Sequence, residues 1–204
     1  ISSDGKVVAF TAVGQLVPAD TNDKADVYVR NLDTDVTTLA SRADGATGAV
    51  GDESSDAPVI SGDGNRVAFR STASNLGSPG TYETIYVRDL AAGKTSIISR
   101  AGGESGDLAN ADSNYPSLSY DGSKVVFVTY ATNLSPDDPA PNQSVYLRNL
   151  AGNTTALVSR APGLAGASLA NYNAGPPAIS GNGSRVAFSA SDEAAVPATA
   201  PWPV

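Results

Sequence analysis

Pro116-Ser-Leu-Ser119 opens the stretch that decides the fold. It continues as YDGSKVVFVTYATNL (120–134), a polar loop, and SVYLRNLAGNTTALVSRA (144–161). Four short apolar runs stand out, about Pro116 to Ser119, Lys124 to Tyr130, Ser144 to Arg148 and Thr154 to Ser159. Each is too short for a helix and rich in Val, Leu, Phe, Tyr or Thr. Asp121-Gly122 and Gly152-Asn153 between them are hairpin signals. The unit reads as a four-stranded antiparallel meander.

The unit recurs. Pro58 to Ser61 and Pro177 to Ser180 repeat the opening run, and Asp4-Gly5, Asp63-Gly64 and Asn182-Gly183 repeat its turn. Phe10, Phe69, Phe127 and Phe188 follow at steps of 59, 58 and 61 residues. Val27 to Arg30 returns as Ile85 to Arg88 and Val145 to Arg148. Ser41-Arg42-Ala43 returns as Ser99 to Ala101 and Ser159 to Ala161. Several anchors keeping phase at a period near 60 predict an all-β fold of β-propeller-like, four-stranded antiparallel blades. The boundaries are a partial blade over 1–43, blades over 58–101 and 116–161, a partial blade over 177–191 and a Pro-rich tail over 192–204. Ile1 to Ser3 reads as the tail of an inner strand. About three and a half blades are present, whereas even six need roughly 350 residues. The expectation is a piece of a larger propeller, or two copies that associate to bury open blade faces, with the tail around Trp202 as another cover.

The repeats assign structural roles. Ser61, Ser119 and Ser180 are expected to bond local backbone. Tyr28, Tyr86 and Tyr146 are expected between sheets with the hydroxyl satisfied at an edge. Arg30, Arg88, Arg148, Arg42, Arg100 and Arg160 are expected to pair with acidic or carbonyl groups.

The 204-residue chain has 13 basic and 21 acidic residues, a formal net charge of −8. That balance disfavours nucleic acid and an anionic membrane surface as partners. With no Cys there is no disulfide or thiolate chemistry, and with no His no imidazole triad or ligand. No run is long enough to span a membrane as a helix. The chain begins without Met, and a mature or excised piece is expected.

Departures from the repeat are where function is sought. The first long loop, VPADTNDKAD (17–26), places Asp20, Asn22 and Asp26 at relative positions 1, 3 and 7, with Asp23 between. Oxygen donors at that density suit a hard cation such as calcium, and an Asx-turn is the competing reading. It lacks the central Gly and final Glu of an EF-hand. The third unit keeps Asp137, Asp138 and Asn142 among prolines. A second acidic set lies between units: Asp44, Asp52, Glu53 and Asp56, then Glu104, Asp107, Asp112 and Asn114; Asn171 and Asn173 precede the fourth. Carboxylate pairs can do acid–base work only at a fixed separation. Sequons begin at Asn142, Asn153 and Asn182.

Pro-X-Ile-Ser-X-Asp-Gly-X-X-Val-Ala-Phe, carried by Pro58 to Phe69, Pro116 to Phe127 and Pro177 to Phe188, resembles the WD40-like PD40 repeat of the TolB C-terminal domain. The longer unit, with Asn75-Leu76 or Asn133-Leu134 and Val-Tyr-Val-Arg-Asn-Leu, is similar to the long-repeat version in secreted bacterial proteins. Asp20 to Tyr28 match the long loop of that version, with Asp23 where the family tends to have Gly. The resemblance implies a propeller placed outside the cytoplasm, in the periplasm or at the cell surface. Relatives of that kind include protein-binding propellers, propeller halves of peptidases, and lyases. No peptidase nucleophile motif or lyase histidine set is matched here.

Four functional readings follow. The first is a non-enzymatic extracellular module binding a protein or carbohydrate ligand. The others are an accessory propeller domain of a larger hydrolase or lyase, a structural spacer, and a hydrolase or lyase working through the loop carboxylates.

Overall fold

The computed structural model describes residues 1–138, 141–160 and 172–192. Ala161, Asn171 and the tail beyond Asp192 lie outside them. Every regular element described is a strand, apart from one 3-10 turn at Ser74–Leu76.

The first unit holds β1 (Val7–Val13), β2 (Ala25–Asn31) and β3 (Val36–Leu39), antiparallel in that order. The second holds β4 (Ser55–Ile60), β5 (Arg66–Ser71), β6 (Thr84–Asp89) and β7 (Lys94–Ile97). The third repeats this with β8 (Ser113–Leu118), β9 (Lys124–Thr129), β10 (Ser144–Asn149) and β11 (Thr154–Leu157). The fourth is broken. β12 (Tyr172–Ala174) pairs with β15 (Ala190–Asp192), while β13 (Ala178–Ile179) pairs with β14 (Val186–Ala187).

Side chains alternate across a strand, and here both sides are buried. Val67 and Phe69 of β5 enter a layer with Val27, Val29 and Tyr86, whereas Ala68 joins Val125, Phe127 and Tyr146. Val128 enters a third layer with Val145 and Ala174. Sheets therefore stack face to face, which explains continuous apolar runs such as VVFV. Val7 and Ala9, two apart on β1 and so on one face, share the first layer. Phe10–Tyr28, Phe69–Tyr86 and Phe127–Tyr146 are cross-strand partners with stacked rings, centroids 5.9, 5.5 and 6.1 Å apart.

The inner strands start earlier than the sequence suggests. β4 and β8 begin three residues before Pro58 and Pro116, and each slips register, between Asp56 and Val59 and between Asn114 and Ser117. Proline has no N–H for the ladder, and a bulge is where a strand tolerates it. The residue before each proline takes positive φ, 50° at Ala57 and 54° at Tyr115. Ile1 to Ser3 is not a strand. Ser2 instead heads a Ser-X-Asp-Gly turn, and the Ser3 amide donates to Gly62 O at 2.8 Å. Asp63 N to Tyr120 O and Tyr120 N to Gly181 O repeat that tie between later units.

In each such turn the serine does more than bond backbone. Ser61 Oγ donates to Asp63 at 2.6 Å and accepts Arg66 N at 3.0 Å, and Ser119 repeats this with Asp121 and Lys124. These donors hold carboxylates low. Asp121 falls from 3.8 to about 2 through the Ser123 amide, then the Ser119 and Ser123 hydroxyls. At Asp63 burial pushes upward, but Ser61 and Asn65 outweigh it. A folded value below the unfolded one gives stability that is complete above about pH 4 and lost as pH falls through about 2. Asp121→Asn, the residue that Asn182 supplies in the fourth unit, is expected to flatten that acid limb. Urea midpoints between about pH 4 and 2 check this; an unchanged slope contradicts it.

Links between units are gripped by the repeated arginines, as the sequence suggests. Arg42 Nε and Nη2 donate to Gly48 O, and Arg100 does the same to Gly106 O. Arg88 reaches back to Ala43 O and Gly45 O, and Arg148 to Ala101 O and Gly103 O. A Cβ at Gly106 would sit 2.4 Å from Ala101 O, so only glycine fits that fold-back.

Candidate functional site

The two ends of the stacked sheets are unlike. One carries short hairpins, residues 61–65, 90–93 and 150–153. The other carries the long loops 14–24 and 72–83, the chain between β9 and β10, and the arrivals of the inner strands at Ser55 and Ser113. Ligand contacts concentrate on such loops held by a rigid scaffold.

The loop of the cation expectation lies at this end. Asp20 and Asp26 are buried, at 2% and 0% exposure, while Asn22 is half-buried and Asp23 exposed with φ 54°. Asp20 Oδ2 accepts the Tyr28 hydroxyl, which also lies 3.2 Å from Gly14 O. Asp26 Oδ1 accepts Ser41 Oγ at 2.5 Å, and its Oδ2 is buried with no hydrogen-bond partner. Burial pushes the Asp26 carboxyl up, Ser41 and Asn22 oppose this, and the Asp20 charge adds to it. Asn22 braces the loop, Oδ1 accepting Lys24 N at 2.9 Å and Nδ2 donating to Gly51 O at 2.7 Å. The first part of this is an Asx-turn.

In the third unit Asp138 is buried and accepts the Tyr146 hydroxyl at 2.9 Å, the spacing of eight residues matching Asp20 and Tyr28. Burial first, then these carboxylates, push both phenols above their ordinary range. Asp137 instead pairs with Arg160 at 2.9 Å. Tyr86 departs from the expected pattern. Its buried hydroxyl has no hydrogen-bond partner among the described residues; Ser78 stands in place of the acid and bonds Thr84 at 3.1 Å.

The inter-unit carboxylates are mostly engaged. Asp52 accepts both Ser74 N and Ser74 Oγ, Glu53 pairs with Lys24 at 2.9 Å, and Asp112 Oδ1 accepts Glu83 N. Asp44 accepts Thr95 N at 2.7 Å, while Glu104 and Asp107 are exposed. Among the described residues no cluster of three acidic groups forms a metal cage.

Arg70 organises what the sequence reading missed. It clamps Asp56 through two bonds of 2.7 and 2.6 Å, then reaches Glu83 at 2.9 Å and Asn114 Oδ1 at 2.5 Å. Asp56 first, against burial, holds its guanidinium above its ordinary value. Three exposed tyrosines flank these segments in the chain, Tyr82 before Glu83, Tyr115 after Asn114 and Tyr130 after β9. Tyr115 is 51% exposed, and Tyr82 and Tyr130 are each 41% exposed. Their backbones converge on Asp112–Ser113. Ser113 N donates to Glu83 O at 2.8 Å, beside Tyr82, and Tyr130 N donates to Asp112 O at 3.2 Å. The signal was available. Arg70 aligns with Thr11 and Val128, and Tyr130 with Val13 and Thr72, so both break the repeat.

A cleft of about 590 Å³ opens between the second and third units, lined by Arg66, Asp89, Lys94, Ile97, Arg100 and Arg148 among others. Arg66 and Asp89 pair at 3.2 Å, and the other two arginines hold link carbonyls. Asn142 and Asn153, with Asn182, lie in loops or turns as expected.

No protein-family model matches the chain, and no curated protein does. Among solved structures, TolB from Acinetobacter baumannii matches 91% of this chain at 20% identity with a TM-score of 0.50. Porphyromonas gingivalis dipeptidyl peptidase 4 matches 94% at 17% identity with a TM-score of 0.51. The chain spans 35% and 28% of those two proteins. Among the described residues, no helix is long and apolar enough to cross a membrane. Stacked four-stranded antiparallel sheets and these likenesses give the chain a TolB-like β-propeller fold.

Proposed function

We propose that the chain is a non-enzymatic binding module of PD40-type blades, acting in the periplasm or outside the cell, whose loop-rich end takes a neutral carbohydrate chain. The observation that carries this is the set of exposed tyrosines around Asp112–Ser113, next to fixed polar groups on Arg70. A tyrosine ring presents an apolar face for the C–H side of a sugar and a hydroxyl for its polar edge. Asp56, Glu83 and Asn114 supply acceptors already held in place. Tyr115 sits at positive φ on an inner strand, a backbone position sparsely used by a bulky residue. The acidic balance disfavours anionic ligands.

Glycan-array binding followed by calorimetry tests this. Tyr115→Ala is expected to weaken the leading neutral glycan at least about tenfold. Tyr120→Ala, exposed at the hairpin end, is expected to leave it unchanged. Binding indifferent to Tyr115, or a polypeptide bound at this end in place of any glycan, overturns the carbohydrate reading.

A further inference from the structure

The first unit differs from its sisters at one buried pair. Asp20 and Asp26 occupy the positions of Ser78 and Thr84 in the second unit, six residues apart in each case. The Ser78 and Thr84 hydroxyls touch at 3.1 Å. Two hydroxyls at that distance share a proton in one hydrogen bond. Two carboxylates in the same places have none to share, and both side chains are almost wholly buried. Asp20 acts on Asp26 as a like charge. Asp26 Oδ2, at a residue with no exposure, has no hydrogen-bond partner among the described residues. The nearest cation on the loop, Lys24, is turned outward to Glu53.

A buried carboxylate oxygen left without a donor costs several kcal/mol unless the group takes up a proton or a positive charge meets it. A hard cation that exchanges part of its hydration for carboxylate oxygens supplies that charge. Hard carboxylate oxygens, with no sulfur or imidazole present, select calcium over transition metals. We propose that Asp20 and Asp26 bind a calcium ion inside the first unit, on the face of the loop braced by Asn22. Asp23, exposed in a left-handed turn, takes no part. The ion would tie the long loop to the start of β2, and through Asn22 and Gly51 to the link into the second unit.

Melting of the chelator-treated chain in rising calcium tests this. Binding to the folded state alone should raise the midpoint by about 3–6 °C at about ten times the dissociation constant. Terbium gives a second readout, since the Tyr28 phenol bonded to Asp20 sits beside the site and should sensitise its emission. Calcium should compete that emission away. Asp26→Thr and Asp20→Ser copy the residues that the second unit carries at the same positions. Each is expected to abolish the calcium shift and cut terbium emission at least about tenfold. A midpoint flat up to millimolar calcium, or a calcium shift that persists in the double variant, overturns the proposal.

Discussion

Arg148→Ala is expected to lower the unfolding free energy by about 3–5 kcal/mol, read as a shifted urea midpoint. Arg148 is 2% exposed and donates to Ala101 O, Gly103 O, Asn153 O and Thr155 Oγ1, at 2.9 to 3.1 Å. Truncation removes a donor from the Ala101 and Gly103 carbonyls, while Asn153 O keeps the Gly103 N–H, and it opens a void between the third unit and the link that enters it. The charge itself is held at a cost. Burial pushes the guanidinium down from its ordinary value, and the nearby Arg100 adds to this. What retains an arginine here is the planar fork, which bonds two turns of backbone at once. Arg148→Lys keeps the charge but cannot span both carbonyls, and it is expected to recover less than half of the loss. Arg30 is the internal control. Its side chain is 35% exposed and bonds Asp35 and Thr37 within its own sheet. Arg30→Ala is expected to cost under about 1 kcal/mol. Equal losses at the two positions would contradict the account.

The repeat made much of this legible. Phe10, Phe69 and Phe127 fall on the second strand of the first three units, while Phe188 lies one residue past β14. The arginine roles followed from recurrence, because a residue required by every blade recurs in every blade. What recurrence hides is the departure. Arg70 links Asp56, Glu83 and Asn114 from three separate segments. No local pattern announces that meeting, although the break from Thr11 and Val128 marks the place. The inner-strand starts were misplaced for a different reason. Proline punctuated the sequence at Pro58 and Pro116, but the strand continues through a bulge at each. The turn toward positive φ at Ala57 and Tyr115 is imposed by that tertiary register, not by either residue's own preference.

The acidic loops show the same limit. Spacing brought Asp20, Asn22, Asp23 and Asp26 together as donors. It could not distinguish the two carboxylates that point inward from the one that faces solvent. Burial separates them, and burial depends on Tyr28 and Ser41, eight and fifteen residues away from their acids.

Phe127→Ala is expected to cost about 3–5 kcal/mol, and the first phenylalanine of the series, Phe10, shows why the position matters more than the residue type. Phe127 is fully buried in the layer between the second and third units, with Val125, Ala68 and Ile85 in the same cluster. Its ring stacks on Tyr146, whose hydroxyl is anchored by the buried Asp138. Removing the ring leaves a cavity that two twisted sheets, pinned by Arg148 and by the hairpin ties, cannot close. Phe10 holds the same register and stacks on Tyr28 at 5.9 Å, yet it is only half-buried. Less area leaves water on folding there, and solvent fills the space when the ring is cut away. Phe10→Ala is therefore expected to cost about half as much. Urea denaturation of the two variants, followed by circular dichroism, measures the difference. A loss at Phe10 equal to that at Phe127 would mean that the first unit is covered in solution by something beyond the described residues.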